Sequence, residues 1–139
     1  MKKISALVVA LIAVFSLTGC GTKNLTCTIV DDVSKASYVT TFKGNEITKI
    51  VFENTTQVDK DEVDEVYSDF EDDASIFDNQ SGIKVTTTKG NDYVSLKLEL
   101  EISKMDEELL EAMNMIEDYK NTSVEDFAKV MEEQGFTCK

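Results

Sequence analysis

From Tyr93 to Ile102 the chain alternates without a break: Val94, Leu96, Leu98, Leu100 and Ile102 are apolar, and Ser95, Lys97, Glu99 and Glu101 between them are polar. Successive side chains of a strand leave opposite faces, so this segment suits a β-strand with one dry and one wet face. A strand of that kind belongs to an antiparallel sheet covered on one side. The remaining sequence must supply its partner strands and its cover.

Partners come first in the chain. Leu25 to Val30 is rich in threonine and β-branched residues, and after the polar break at Asp31-Asp32 an extended pattern resumes from Ser37 to Phe42. Gly44-Asn45 makes a turn into a third β-rich run carrying Ile47, Ile50, Val51 and Phe52, with Asn54 to Gln57 as its end. Gly82 to Thr88 reads as a further strand, joined to the alternating one by the turn Lys89-Gly90-Asn91-Asp92.

The cover is helical. Between Asp59 and Phe77 the apolar residues Val63, Val66, Tyr67, Phe70, Ala74 and Phe77 follow steps of three and four, which places them on one stripe. Leu109, Leu110, Met113, Ile116 and Tyr119 repeat that spacing in the span Asp106 to Tyr119, and acids open it at the positive end of its dipole. Ser123-Val124-Glu125-Asp126 resembles a capping box, Phe127, Val130 and Met131 form a third stripe, and Gly135 is a helix stop. The order βββ-α-ββ-αα predicts an α+β domain: an antiparallel sheet of about five strands with helices packed on one face.

The first residues follow another logic. Lys2 and Lys3 precede an apolar run from Ile4 to Phe15, broken only by Ser5 and shorter than a comfortable bilayer span. Leu17-Thr18-Gly19-Cys20 follows and looks like a lipobox, in which small residues precede a cysteine that receives diacylglycerol before cleavage. The expectation is a lipoprotein signal peptide over 1–19, a lipidated Cys20 with a short tether over 20–24, and a single α+β domain over 25–139. The four residues Gly21 to Asn24 give a tether of about 14 Å at roughly 3.5 Å per residue. Membrane attachment through lipid on Cys20, palmitate among its acyl chains, implies a location on the extracytoplasmic face of the cell membrane.

Three cysteines are present, and lipid on Cys20 leaves Cys27 and Cys138 as a pair in a compartment where disulfides persist. A Cys27–Cys138 bridge is expected, closing a loop of roughly 110 residues worth on the order of 4–5 kcal/mol in the chain-entropy model. No CxxC is present, which sets a structural staple ahead of a redox or metal-binding pair.

Composition removes several chemistries. The 139 residues contain no histidine, so no Ser-His-Asp or Cys-His arrangement and no His-ligated zinc or haem can form. Neither GxGxxG nor GxxxxGK[ST] occurs, which opposes dinucleotide and nucleoside triphosphate binding. The net charge of −13, with no arginine, opposes nucleic acid. Without residues 1–19, which hold Lys2 and Lys3, 12 lysines stand against 27 acids, a side-chain charge of −15. No cofactor and no metal site are expected.

These residues resemble the YehR-like family of small bacterial lipoproteins, a domain of unknown function. The resemblance rests on the lipobox, the segment Tyr38-Val39-Thr40-Thr41-Phe42-Lys43-Gly44-Asn45-Glu46-Ile47, the acidic central helix, the alternating strand, and the segment Val130-Met131-Glu132-Glu133-Gln134-Gly135-Phe136. It implies a compact α+β lipoprotein exposed on the outer face of the membrane. It supplies no catalytic residues.

Candidate sites remain, each with a plainer alternative. Asp59, Asp61, Glu62, Asp64, Glu65, Asp69, Glu71, Asp72 and Asp73 could hold a hard cation, but on a helix they spread over the exposed arc as a solvated face. Tyr38, Phe42, Phe52, Tyr67, Phe70 and Phe77 could line a ligand groove, against a core role. Met105, Met113, Met115 and Met131 could form an adaptable surface, against packing. The expectation is a non-enzymatic binding or structural module of the envelope with a protein partner there. The alternative is a substrate- or divalent-cation-binding lipoprotein that delivers a ligand to another envelope protein, with a pocket of roughly 300 Å³ or more. An enzyme working with carboxylates alone would need a buried acid of strongly raised pKa.

Overall fold

A computed structural model describes residues 21–113 and 119–139 of the chain. Residues 1–20, on which the expected signal peptide and lipidated Cys20 fall, and Met115 and Ile116 lie outside the described residues. The strands are β1 (Thr22–Val30), β2 (Ser34–Lys43), β3 (Glu46–Gln57), β4 (Ile83–Lys89), β5 (Tyr93–Glu101) and β6 (Thr137–Cys138). The helices are α1 (Val63–Ser75), α2 (Glu107–Ala112) and α3 (Val124–Glu133), and Ile102–Lys104 forms a single 3₁₀ turn. All strands pair antiparallel in one open sheet of order β4-β5-β3-β2-β1-β6.

The architecture is therefore α+β, with six strands rather than about five. The added strand, β6, is two residues long, too short to show a period of two. It forms because Thr26 and Lys139 exchange backbone hydrogen bonds of 3.0 and 2.8 Å beside the Cys27–Cys138 register pair. β1 starts at Thr22, so Lys23 and Asn24 lie opposite Phe42 and Thr41 instead of forming a tether. β3 runs to Gln57: Asn54 and Thr55 are held by β2 on one side and β5 on the other, which outweighs the weak strand preference of asparagine.

The β1–β2 turn is built by one carboxylate. Asp31 Oδ1 accepts from the backbone N–H groups of Val33 and Ser34 at 2.8 and 2.6 Å, and its Oδ2 accepts from the Ser34 hydroxyl at 2.9 Å. Gly44, at φ +62°, supplies the left-handed residue in the β2–β3 turn. A bulge follows: Thr41 opposes Lys49 while Phe42 opposes Ile47, so Thr48 is extra and its hydroxyl donates to the Thr41 carbonyl at 3.3 Å. The bulge returns Ile47 to the face of Ile50 and Phe52, which explains why the apolar pattern of β3 does not alternate cleanly.

The dry face follows from register. Cys27 opposes Tyr38, Tyr38 opposes Phe52, Phe52 opposes Leu98, and Leu98 opposes Val85, so one row crosses five strands on one face. The neighbouring row runs Leu25, Thr40, Ile50, Leu100 and Ile83. The core gathers Leu25, Cys27, Phe42, Ile47, Leu100 and Ile102 with Met105, Leu110 of α2 and Met131 of α3, and Leu109, Val124, Phe127 and Ala128 pack around them. α1 lies against β4 and β5, with Val63 as its buried residue. Its half-buried residues Val66, Tyr67, Phe70 and Ala74, with Phe77 in the turn just after it, are those of the expected stripe.

Helix ends obey local chemistry. Ser123 caps α3 by accepting from the Asp126 N–H at 3.0 Å, and its hydroxyl donates to Asp126 Oδ2 at 2.8 Å. At the other end Phe136 N–H bonds to the Met131 carbonyl and Gly135 N–H to that of Glu132, with Gly135 at φ +94°. α1 begins at Val63, the first residue of its apolar stripe and four residues after the Asp59 start of the expected span, and Asp106 is the N-cap of α2, which begins at Glu107.

Two substitutions test this core. Phe42 is fully buried and meets the Phe127 ring edge-on at 5.8 Å, so Phe42→Ala lowers stability by about 3–5 kcal/mol in urea denaturation. Thr40 is also fully buried, and its Oγ1 has no hydrogen-bond partner among the described residues. Thr40→Val, which removes that orphan hydroxyl at nearly constant volume, raises stability by about 1 kcal/mol in the same measurement.

Candidate functional site

Cys27 and Cys138 meet at the centre of the site. Cys27 points to the dry face of β1 and is fully buried, and Cys138 is its register partner on β6, with the two Sγ atoms 2.04 Å apart. The pair is thus placed to form a disulfide. The turn after α3 delivers Cys138: Gly135 reverses the chain at φ +94°, a conformation that side-chain-bearing residues rarely adopt. Phe136 then packs edge-on against Tyr38 at 5.5 Å, and Tyr38 stacks on Phe52 at 4.7 Å. Burial among these rings pushes the Tyr38 phenol above its ordinary pKa.

The aromatic set divides into separate packing places. Tyr38 and Phe52 join Phe136, Phe42 lies under Phe127, and Tyr67 lies beneath the Lys89 ammonium at 4.5 Å from its ring centroid. They do not share one groove. Met105 and Met131 are buried in the core, and Met113 packs against it. The adaptable-surface idea loses those three members.

The acids of the Asp59–Asp73 stretch are all exposed, and Asp59, Asp61 and Glu62 precede α1. Among the described residues no group of three or more carboxylates or cysteines is gathered closely enough to hold a metal ion. Asp64 bonds instead to Lys89 at 2.7 Å, and that hydrogen bond raises the Lys89 pKa above its ordinary value. Glu101 is held below the usual carboxylate range, chiefly by the Lys104 hydrogen bond, and Lys49 pairs with Glu99 at 3.5 Å. Such surface pairs are largely screened by water.

One depression was not legible in the sequence. A half-open recess of about 270 Å³ is lined by Gly21, Thr22, Lys23, Gly44, Asn45, Val124 and Glu125. It joins three segments distant in sequence: the start of β1, the β2–β3 turn and the first turn of α3. The only signal that could have pointed to it is Gly44-Asn45, whose turn sets the rim.

No protein-family model and no curated protein matches the chain. Among solved structures, the NMR structure of Escherichia coli YehR is similar, with a TM-score of 0.67 at 15% identity over 87% of this chain and 93% of that one. An NMR structure of a protein from Streptococcus pneumoniae TIGR4 is similar at TM-score 0.63 and 16% identity, over 100% of this chain and 98% of that one. The fold is YehR-like.

The Asp31 turn gives a titration test. Backbone hydrogen bonding from Val33, then the Ser34 hydroxyl and backbone, lower its pKa below the ordinary 3.8. A lowered folded-state pKa stabilises the fold above the unfolded value, and that contribution is lost as pH falls through the folded value. In carboxyl-carbon NMR titration Asp31 therefore titrates below 3.8, and Ser34→Ala moves it upward.

Proposed function

We propose that this chain is a lipid-anchored, extracytoplasmic domain that acts by binding or by shaping an envelope assembly, with no reaction of its own. In this reading residues 1–19 are removed, Cys20 carries lipid, and Cys27 and Cys138 are oxidised to a disulfide outside the cytoplasm. The helices all cover one face of the sheet. The other face, with Thr26, Thr28, Thr41 and Thr55 at alternate positions of β1, β2 and β3, is left for a partner protein.

The observation that carries this reading is the cysteine arithmetic joined to the geometry. Counting Cys20 as lipid-bound leaves two thiols 111 residues apart, and the fold brings those two to bonding distance. Such pairs persist outside the cytoplasm, where reducing systems do not reach them. The YehR-like fold is consistent with it. A ligand carrier finds less support, since the recess of about 270 Å³ lies below the roughly 300 Å³ from which small-molecule sites usually begin.

The test is the intact mass of the full chain recovered from the membranes of a bacterial host, with and without reductant. The expected product lacks residues 1–19, bears diacylglycerol on Cys20 and has no alkylatable thiol until reduced. Cys20→Ser abolishes the lipid mass and releases the protein from the membrane fraction. Soluble, unprocessed protein with three alkylatable thiols would overturn the proposal.

A further inference from the structure

β1 begins at Thr22, so a single residue, Gly21, separates Cys20 from the sheet. Two peptide steps span at most about 7 Å. From this we propose that the end of the sheet formed by Thr22, the Lys43–Glu46 turn and the first turn of α3 rests on the phospholipid headgroups of the membrane that holds the anchor. The inference depends on lipid at Cys20, and it adds which surface of the domain meets the bilayer.

Several features belong to that end. Thr22 lies opposite Lys43 in the β1–β2 ladder. Thr122 N–H donates to the Asn45 carbonyl at 2.9 Å and Ile47 N–H to that of Tyr119 at 2.7 Å, which holds Lys120 beside the same turn. Lys23, Lys43 and Lys120 are exposed, and among the described residues none of them is in an ion pair. The recess opens here between Lys23, the turn at Gly44-Asn45 and Glu125, so its rim carries one cation and one carboxylate. Glu46, Glu125 and Asp126 share this end, and Glu101 closes β5 at the same end of the sheet beside Lys104, so lysines and acids are mixed there.

The opposite end differs. β1 has nine residues, and eight steps of about 3.3 Å carry the chain roughly 26 Å from Thr22 to Val30. Asp31, Asp32, Asp59, Asp61, Glu62 and Asp92 cluster in the turns at that end, with Lys35, Lys60 and Lys89 as their nearest cations in sequence. The potential of an anionic leaflet decays within a Debye length of about 8 Å at physiological salt. Standing on the Thr22 end keeps these acids outside that layer, whereas lying on the side or inverting would bring them into it. The short tether therefore selects this orientation, and it keeps the Asp31 end away from the leaflet.

The chain has no tryptophan, so one can be placed at either end. Full-length Asn45→Trp and Val33→Trp variants, both in exposed turns, are reconstituted in phosphatidylethanolamine–phosphatidylglycerol vesicles doped with a headgroup-spin-labelled phospholipid. The mass of Cys20 is measured on the same samples. With the lipid in place, several-fold stronger quenching of Asn45→Trp than of Val33→Trp is expected. Equal quenching, or stronger quenching of Val33→Trp, on diacylated protein would overturn the orientation and leave the anchor standing. An unmodified Cys20 would overturn the anchor, and the orientation with it.

Discussion

The rest of the fold depends on the register between β5 and β3. Pairs from Lys49 with Glu101 to Gln57 with Tyr93 place Val94, Leu96, Leu98 and Leu100 on the face that carries Phe52 and Ile50. A slip of one residue would turn Lys97 and Glu99 into the core and expose the leucines, a change no helix packing could offset. β5 is a central strand, held by β4 on one side and β3 on the other. It is also the segment with the clearest alternation in the sequence. Strongest pattern and most constrained position coincide, because a strand paired on both edges has least freedom to correct a faulty register.

Around that pair the chain is organised by its two ends. The N-terminal hairpin and β3 extend the sheet toward β1, and the Gly135 reversal after α3 brings Phe136 onto Tyr38 and Cys138 onto Cys27. The helices contribute unequally. α2 and α3 seal the core over Phe42 and Leu100, whereas α1 lies against β4 and β5 and exposes its carboxylates. The negative charge of the protein is thus largely a property of its surface helices and turns.

Fold class, the meander, the three helices and the stop at Gly135 were legible because each has a period or a cap. The sixth strand was not, since two residues carry no period and pairing depends on Thr26 and Lys139 meeting through tertiary structure. The early start of β1 was hidden for a related reason: Thr22, Lys23 and Asn24 have no apolar alternation, and β2 holds them by backbone bonds that any side chain permits. The Thr48 bulge disguised Ile47 as out of phase with Ile50. Of the candidate sites, the cysteine pair could be found by counting. The aromatic set could not be sorted, because spacing within elements says nothing about which elements share a neighbour.

A ribosome releases Cys27 111 residues ahead of Cys138, and β6 can dock on β1 only after all other strands exist. For most of its synthesis the nascent chain therefore has an outer β1 edge with no neighbour, although its other edge can already pair with β2. Edges of that kind invite pairing with other chains. The run Thr22–Asn24, with its lysine and polar side chains, makes a poor template for such pairing, and the two-residue β6 then covers Cys27 and Thr28. The brevity of β6 leaves Ile29 and Val30 beyond its reach, so the apolar tip of that edge has Asp31 and Asp32 beside it as its guard.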